Sequence, residues 1–398
     1  MTTHVTDQYK TRIKHAIETF APRLTEIASY IGAHPELGHE EKLASALLAG
    51  ELEKHGYRVE RAVLGLETAF IAEYGTAGSG PIIGLLAEYD ALPDIGHACG
   101  HHLICTMALG AAAGLKAIVD ETGGIIRVYG TPAEETKGAK IDMAAAGLFD
   151  DCDIAIMAHP YCQFEKSGSS LAIDALQFEF HGKAAHAAAN PADGINALDA
   201  VILLFNAVNA LRQQTKDEAR IHGIVSNGGQ APNIIPDYAS AQFYVRAASR
   251  AYTDELARKV TACAEAAAAA TGCKVTVSNY EYSYDELRTN EPLSAAFTAN
   301  LIANGIPENE IAHANDHGSL DLGNVSLRCP AAHPFVQVVG EPFQLHTVEF
   351  RDSAQQPRAY EGMAFGATML AYTACDVLTD RDLLARIKED FAKTVGGK

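Results

Sequence analysis

The sequence predicts an α/β fold in which a mixed, mostly parallel sheet carries helices on both faces and is interrupted by an inserted ferredoxin-like α+β sandwich. Three observations predict it. Apolar strand-like runs alternate with helix-period segments up to about residue 172 and again from about residue 284. Between 173 and 283 the order changes to β-α-β-β-α-β, a complete split βαβ unit. A length of 398 residues exceeds one ordinary core. We therefore expect a discontinuous domain of residues 1–172 with 284–398, and an inserted domain of residues 173–283.

Tyr9, Ile13, Ile17, Phe20, Leu24, Ile27 and Ile31 recur at steps of three and four and predict a long amphipathic helix, which Pro22 should kink or divide. A second helix is expected over Glu40 to Lys54, with Gly56 at its stop. Strands follow at about Ala69 to Glu73 and Ile82 to Glu88, then a helix from about Ile104 to Val119. Ile125 to Tyr129 predicts a strand, Ala139 to Ala146 a short helix and Ile154 to Ala158 a further strand. In the insert, Leu171 to His181, Ile221 to Val225, Tyr238 to Ala247 and Lys274 to Ser278 read as strands. Helices over Ala197 to Leu211 and Leu256 to Ala270 complete it. Beyond Asp285 we expect a helix over Leu293 to Ala303, a strand over Phe335 to Val339, one long helix over Asp352 to Val377 and a shorter helix after Asp380.

Composition narrows the partners. The 31 basic and 50 acidic residues leave a net charge of −19, which argues against nucleic acid or an anionic membrane. No uninterrupted apolar run approaches the ~20 residues that span a bilayer, and the first ten residues are polar, so a cytoplasmic location is expected. The eight cysteines follow no paired framework, as where thiols stay reduced.

Chemistry concentrates just past the ends of the predicted strands. The run Pro81 to Leu86 enters a loop holding Asp90, Asp94, His97, Cys99, His101 and His102, with Gly96 and Gly100 for turning. The strand at Ile125 enters Gly130-Thr131-Pro132-Ala133-Glu134-Glu135, and that at Ile154 enters His159-Pro160. In α/β sheets this edge is where ligands bind. Cys99 read alone could be a small buried hydrophobe, and Glu134-Glu135 a solvated turn. Together, Cys99, His101, Glu135, His159 and His346 make a five-ligand set for two divalent ions, with Cys99 or a carboxylate bridging. Such a site activates water, and Glu134, adjacent to a ligand but off the metal, is placed to take its proton and pass it to a departing amine.

These segments, with His34-Pro35-Glu36-Leu37-Gly38, Asp90-Ala91-Leu92-Pro93, His97-Ala98-Cys99-Gly100-His101 and His346-Thr347, span nearly the whole chain. In them the chain resembles the aminoacylase and carboxypeptidase family of dinuclear metallopeptidases, in the branch of hippurate hydrolase, auxin-conjugate hydrolases and p-aminobenzoyl-glutamate hydrolase. The resemblance implies that Cys99, His101, Glu135, His159 and His346 are metal ligands, Glu134 the general base, and Asp90 the carboxylate that orients the site. Gly182-Lys183-Ala184-Ala185-His186 matches the segment whose histidine, in dimeric relatives, reaches the partner's site to bind the oxyanion, a role His186 inherits. Its alternative is an exposed strand-end histidine. Pro232-Asn233-Ile234-Ile235-Pro236 and Tyr244-Val245-Arg246-Ala247 match too, making Arg246 a candidate clamp for a substrate carboxylate and Asn233 a candidate oxyanion or backbone contact. Both also read as ordinary structural residues. His313, His317 and His333 flank Gly318-Ser319-Leu320-Asp321, a stretch the family places near its active site, and receive no ligand role.

One position departs from the pattern. Where the branch carries aspartate or asparagine after Cys-Gly-His, this chain has His102, which bears on substrate class rather than on metal binding. Asp94-Ile95-Gly96-His97 looks most like the aminobenzoyl-glutamate and dipeptidase-like subset. The resemblance thus implies a homodimeric amidohydrolase with two zinc or manganese ions in each protomer, cleaving the amide of an N-acyl or N-aroyl amino acid or dipeptide bearing a free carboxylate. Hydrolytic deamination of an aromatic amine and a non-catalytic ligand-binding relative are the alternatives, and the intact set of ligand residues with Glu134 speaks against the latter.

Overall fold

The computed structural model describes residues 3–313 and 318–395, so His317 lies outside the described residues. These form two compact units, one comprising Ser170–Glu286 with the short stretch ending at Leu320, the other the remainder.

The larger unit opens with α1 (Thr3–Ala33), α2 (Lys42–Lys54), β1 (Arg58–Arg61), β2 (Phe70–Thr76), β3 (Ile82–Ala87), α3 (His101–Thr122), β4 (Gly124–Gly130), α4 (Ala139–Ala145), β5 (Ile154–Ile156), β6 (His159–Tyr161) and β7 (Phe164–Glu165). The smaller unit holds β8 (Ala172–His181), α5 (Ala197–Leu211), β9 (Arg220–Asn227), β10 (Tyr238–Ala247), α6 (Arg250–Thr271) and β11 (Lys274–Asn279). The larger unit then resumes with α7 (Glu291–Ala303), β12 (Ile311–Ala312), α8 (Leu322–Ser326), β13 (Ala331–Ala332), β14 (Phe335–Gln337), α9 (Val348–Ser353), α10 (Pro357–Thr379) and α11 (Arg381–Val395).

The principal sheet has the order β1-β2-β4-β3-β5-β13. Strands β4, β3, β5 and β13 are parallel, whereas β2 pairs antiparallel with β4 and β1 antiparallel with β2, so the sheet is mixed. One face presents Ile83, Leu85, Ile126, Val128, Ile154 and Ile156 to a core shared with α1, α3 and α10. Residues on the other face, Leu86 and Tyr129, are also buried, Tyr129 lying 4.4 Å from Phe149 between ring centroids. Burial on both faces is why these strands read as continuous apolar runs. In the smaller unit an antiparallel sheet of order β11-β8-β10-β9 packs against α5 and α6 around Phe178, Phe180, Phe243 and Leu256. This is the βαββαβ sandwich expected of the insert.

Four expectations need correction. Pro22 does not divide the first helix, which runs unbroken from Thr3 to Ala33. Burial of Ile13, Ile17, Leu24, Ile27 and Ile31 along one face outweighs the ~3 kcal/mol that an internal proline costs. The long helix expected over Asp352 to Val377 is two helices, because Pro357 opens the second in the first turn, where its missing N–H costs nothing. Helix α3, 22 residues long, is apolar enough by length and composition to cross a membrane, which counting uninterrupted runs overlooks. Its most apolar window is 83% buried within the protein, as befits a core helix. Finally, β1 and three members of a small second sheet of order β12-β7-β14-β6 go beyond the expected strands, since β12, β7, β6 and β1 have only two to four residues, too short for a periodic signal, whereas β14 is the strand expected from Phe335.

Candidate metal centre

The three central parallel strands β4, β3 and β5 end side by side and deliver Glu134-Glu135, Asp90 and His159 to one edge of the sheet. Strand β3 ends at Ala87, and its continuation crosses a loop to Cys99 and the first residue of α3, His101. Gly100, at φ +83°, makes this turn, and a Cβ there would stand 2.6 Å from Pro160. The glycine therefore lets the Cys99 loop close onto the His159-Pro160 strand. His346 joins from the far end of the sequence, its N–H donating to the Ala98 carbonyl at 3.0 Å. Its φ of +63° places a histidine in the left-handed region, a conformation that clusters at functional sites.

The donor atoms converge. Cys99 with His101 and His159, Cys99 with Glu135 and His346, and His101 with Glu134 and Glu135 form three overlapping sets, each with its atoms within 4.8 Å of one another. Cys99 Sγ lies 3.5 Å from His159 Nε2, and His346 Nε2 lies 3.1 Å from Glu135 Oε1. Asp90, fully buried, orients two members at once, accepting from His101 Nδ1 at 2.9 Å and from the Glu135 N–H at 3.0 Å. His159 Nδ1 meets the Pro160 carbonyl at 2.9 Å, which directs Nε2 into the cluster.

Electrostatics give the site its character. Burial pushes the Cys99 thiol up, with His101 pulling it the other way. Burial, then the neighbouring His333 and His101, hold His159 down to about 3, so its ring is neutral. Burial, then the negative charges of Glu88, Glu135 and Asp321, raise Glu134 well above the usual carboxylate range. His101 Nε2 is buried without a hydrogen-bond partner among the described residues. A buried thiol, a neutral imidazole, an unpartnered ring nitrogen and converging carboxylates are the donor set a divalent cation satisfies, so the residues fit a metal centre.

The candidates for substrate contact lie in the smaller unit. His186 is exposed, and the Ala188 and Ala189 N–H groups donate to its Nδ1 at 3.3 and 3.2 Å, leaving the ring proton on Nε2. Asn233 lies in the adjoining turn, its carbonyl accepting from Ala187 N–H at 3.0 Å. Arg246 stacks 5.2 Å from the Tyr244 ring centroid and donates to Ser319 Oγ at 3.3 Å, and its buried Nε has no hydrogen-bond partner among the described residues. In the larger unit, His102 turns out to be a packing residue. Its ring is buried, Nε2 donates to the Ala354 carbonyl at 3.2 Å, and Gly32 lies against it.

Sequence reasoning missed a buried ionic triad beside the cluster. Lys140 Nζ lies 2.7 Å from both Glu88 Oε1 and Asp321 Oδ1, all three side chains being almost wholly inaccessible. Glu88 Oε2 lies 3.7 Å from the unpartnered His101 Nε2. A signal for Glu88 existed, because it closes the strand expected over Ile82 to Glu88, two residues before Asp90. None existed for Lys140, a lysine in an alanine-rich helix.

The chain is similar to known proteins over almost its whole length. Residues 172–272 match the model of a peptidase dimerisation domain. The chain is 37% identical to a Xaa-Arg dipeptidase of Mus musculus, covering 96% of this chain and 92% of that protein. It is 30% identical to a p-aminobenzoyl-glutamate hydrolase component of Escherichia coli (strain K12), covering 95% and 94%. A solved dinuclear metal-binding peptidase of the M20 family from Bacillus subtilis superposes with a TM-score of 0.67 at 19% identity, covering 91% of this chain and 99% of that one.

Proposed function

The chain belongs to the M20 peptidase family, and from that membership and the convergence of its donor atoms we propose how this metal-dependent amide hydrolase works. Cys99, His101, Glu135, His159 and His346 would hold the divalent metal, two ions in each protomer. When bound, the ions supply an activated water and polarise the scissile carbonyl. Glu134 accepts the proton of that water and returns it to the departing amine, a task suited to a carboxylate whose proton affinity is raised by burial and by neighbouring negative charge. Asp90 fixes the tautomer of His101 and the direction of the Glu135 backbone. The thiolate favours zinc, while the carboxylate and imidazoles also suit manganese.

The substrate is an N-acyl or N-aroyl amino acid or a dipeptide, and the similarity to a Xaa-Arg dipeptidase makes dipeptides the first to test. Arg246, whose buried Nε has no hydrogen-bond partner among the described residues, is suited to gripping the substrate carboxylate. His186 Nε2–H is a donor suited to a developing oxyanion, and Asn233, in the adjoining turn, can assist it. We further propose a homodimer formed through the smaller unit. Its edge strand β9 exposes Ile224 (61%) and Val225 (47%), and α5 exposes Ile202 (48%) and Leu203 (40%), an apolar surface that a second copy would cover.

The observation that carries this reading is the overlap of three donor sets through Cys99, Glu135 and His101, the last with a buried Nε2 that has no hydrogen-bond partner among the described residues. Glu134→Ala tests it: turnover of dipeptides and N-acyl amino acids should be lost while metal content is retained. Turnover at the wild-type rate would refute the assignment. Release of ammonia without a second organic fragment would identify deamination instead.

A further inference from the structure

The segment His34 to Glu41 contains a motif to which the proposed mechanism gives no task, yet it touches both loops that carry the centre. The Glu36 carboxylate accepts the Leu43 and Ala44 N–H groups at 2.9 Å each, fixing the start of α2, while its backbone carbonyl accepts from Ala91, next to Asp90, at 2.8 Å. Glu41, fully buried, accepts the Ala133 N–H at 2.8 Å on Oε1 and the Thr68 hydroxyl at 2.9 Å on Oε2. Ala133 immediately precedes Glu134 and stands at φ +65°, a left-handed conformation unfavourable for any residue with a side chain. The opposite side of that turn is filled by Gly38, where a Cβ would come within 2.8 Å of Ala133 Cβ and 2.6 Å of Thr136 Oγ1. His39 completes the contact, with Nε2 2.9 Å from the Lys137 carbonyl.

We propose that Glu41 is a positioning residue: by gripping the Ala133 N–H it holds that residue in the left-handed region and so aims the side chain of Glu134. Without the grip, Ala133 relaxes toward the ordinary regions of backbone space and Glu134 turns away from its working direction. The inference rests on the reading of Glu134 as the proton carrier.

The test exploits the fact that glycine enters the left-handed region without penalty. In the metal-loaded enzyme, Glu41→Ala should lower kcat by about 5- to 30-fold, the population change implied by the cost of that conformation for alanine, with KM and metal content unchanged. The double variant Glu41→Ala/Ala133→Gly should recover most of the loss, because glycine restores the conformation without the grip. Glu41→Gln, which keeps an acceptor oxygen, should stay within about threefold of wild type. In metal-free protein, hydrogen exchange at the Ala133 amide should accelerate in Glu41→Ala. Should that variant fail to fold, Gly38→Ala, which pushes on Ala133 from the other side, should show the same loss of kcat. Wild-type kcat in Glu41→Ala, or no recovery in a folded double variant, would overturn the proposal. Inactive Glu134→Ala beside fully active Glu41→Ala would overturn this inference alone, whereas active Glu134→Ala would overturn the reading beneath it.

Discussion

Replacing Lys140 with methionine keeps most of the side-chain volume and removes one charge from the interior. What remains are Glu88 and Asp321, each 2.7 Å from the missing ammonium and almost wholly inaccessible. Burial already pushes the Asp321 carboxyl up to about 6 despite Lys140, with Glu88 adding to the rise. Lys140 itself is disfavoured by burial but held above its ordinary range by the two carboxylates. Breaking a buried pair so that a charge is left uncompensated costs about 3 to 5 kcal/mol, and we expect Lys140→Met to lose that much at pH 8. At pH 5 the loss should shrink. A carboxyl raised in the folded state binds its proton there before it does in the unfolded chain, and a protonated Asp321 no longer needs the ammonium. Urea denaturation followed by circular dichroism at both pH values measures this. The triple variant Glu88→Gln/Lys140→Met/Asp321→Asn, neutral throughout, should recover most of the stability. A loss below about 1 kcal/mol at pH 8, or one independent of pH, would show that the triad is not the electrostatic unit we describe.

Other outcomes follow from single groups. Burial, with the charge of Asp90 adding to it, raises the Glu41 carboxyl from 4.5 to about 7. For a raised acid the stabilisation is complete below the unfolded value and is lost as pH climbs through the folded one. Glu41→Gln should therefore gain about 3 kcal/mol relative to wild type between pH 4 and pH 8, measured by urea denaturation. An unchanged difference would remove the burial argument. His186→Ala should reduce kcat by about 10²- to 10³-fold while leaving metal content and dimerisation intact, the cost of losing one oxyanion donor, and steady-state kinetics with metal analysis decide it. Ile224→Asp on the exposed edge strand should shift the protein from dimer to monomer in sedimentation experiments, and a dimer that persists would place the interface elsewhere.

The convergence of Cys99, His101, Glu135 and His159 was legible because each follows an apolar run long enough to register as a buried strand, and strand ends share an edge in a parallel sheet. The insert was legible for a similar reason. Its strand β8 and its helix α5 keep their periods over 10 and 15 residues. What stayed hidden depends on three-dimensional neighbours. Nothing in Ala139-Lys140-Ile141 distinguishes a lysine sealed between two carboxylates from one on a surface. His102 stands next to the proposed ligand His101 in sequence, yet a helix turns consecutive residues about 100° apart, so it packs on the Ala354 carbonyl instead. Pro22 reads as a breaker because its local cost is visible in sequence, whereas the burial that offsets it is not. The left-handed Ala133 carried no glycine or asparagine to announce it, and its support comes from Glu41, 92 residues away.

The most direct test of the account is the location of metal in the protein itself. Anomalous diffraction from crystals of the zinc-loaded enzyme should reveal two ions, with Cys99 sulfur at about 2.3 Å and imidazole nitrogens of His101, His159 and His346 at about 2.0 Å, both near Glu135 and beneath Glu134. Ions bound elsewhere, or a loaded, active enzyme in which these side chains bind none, would contradict it.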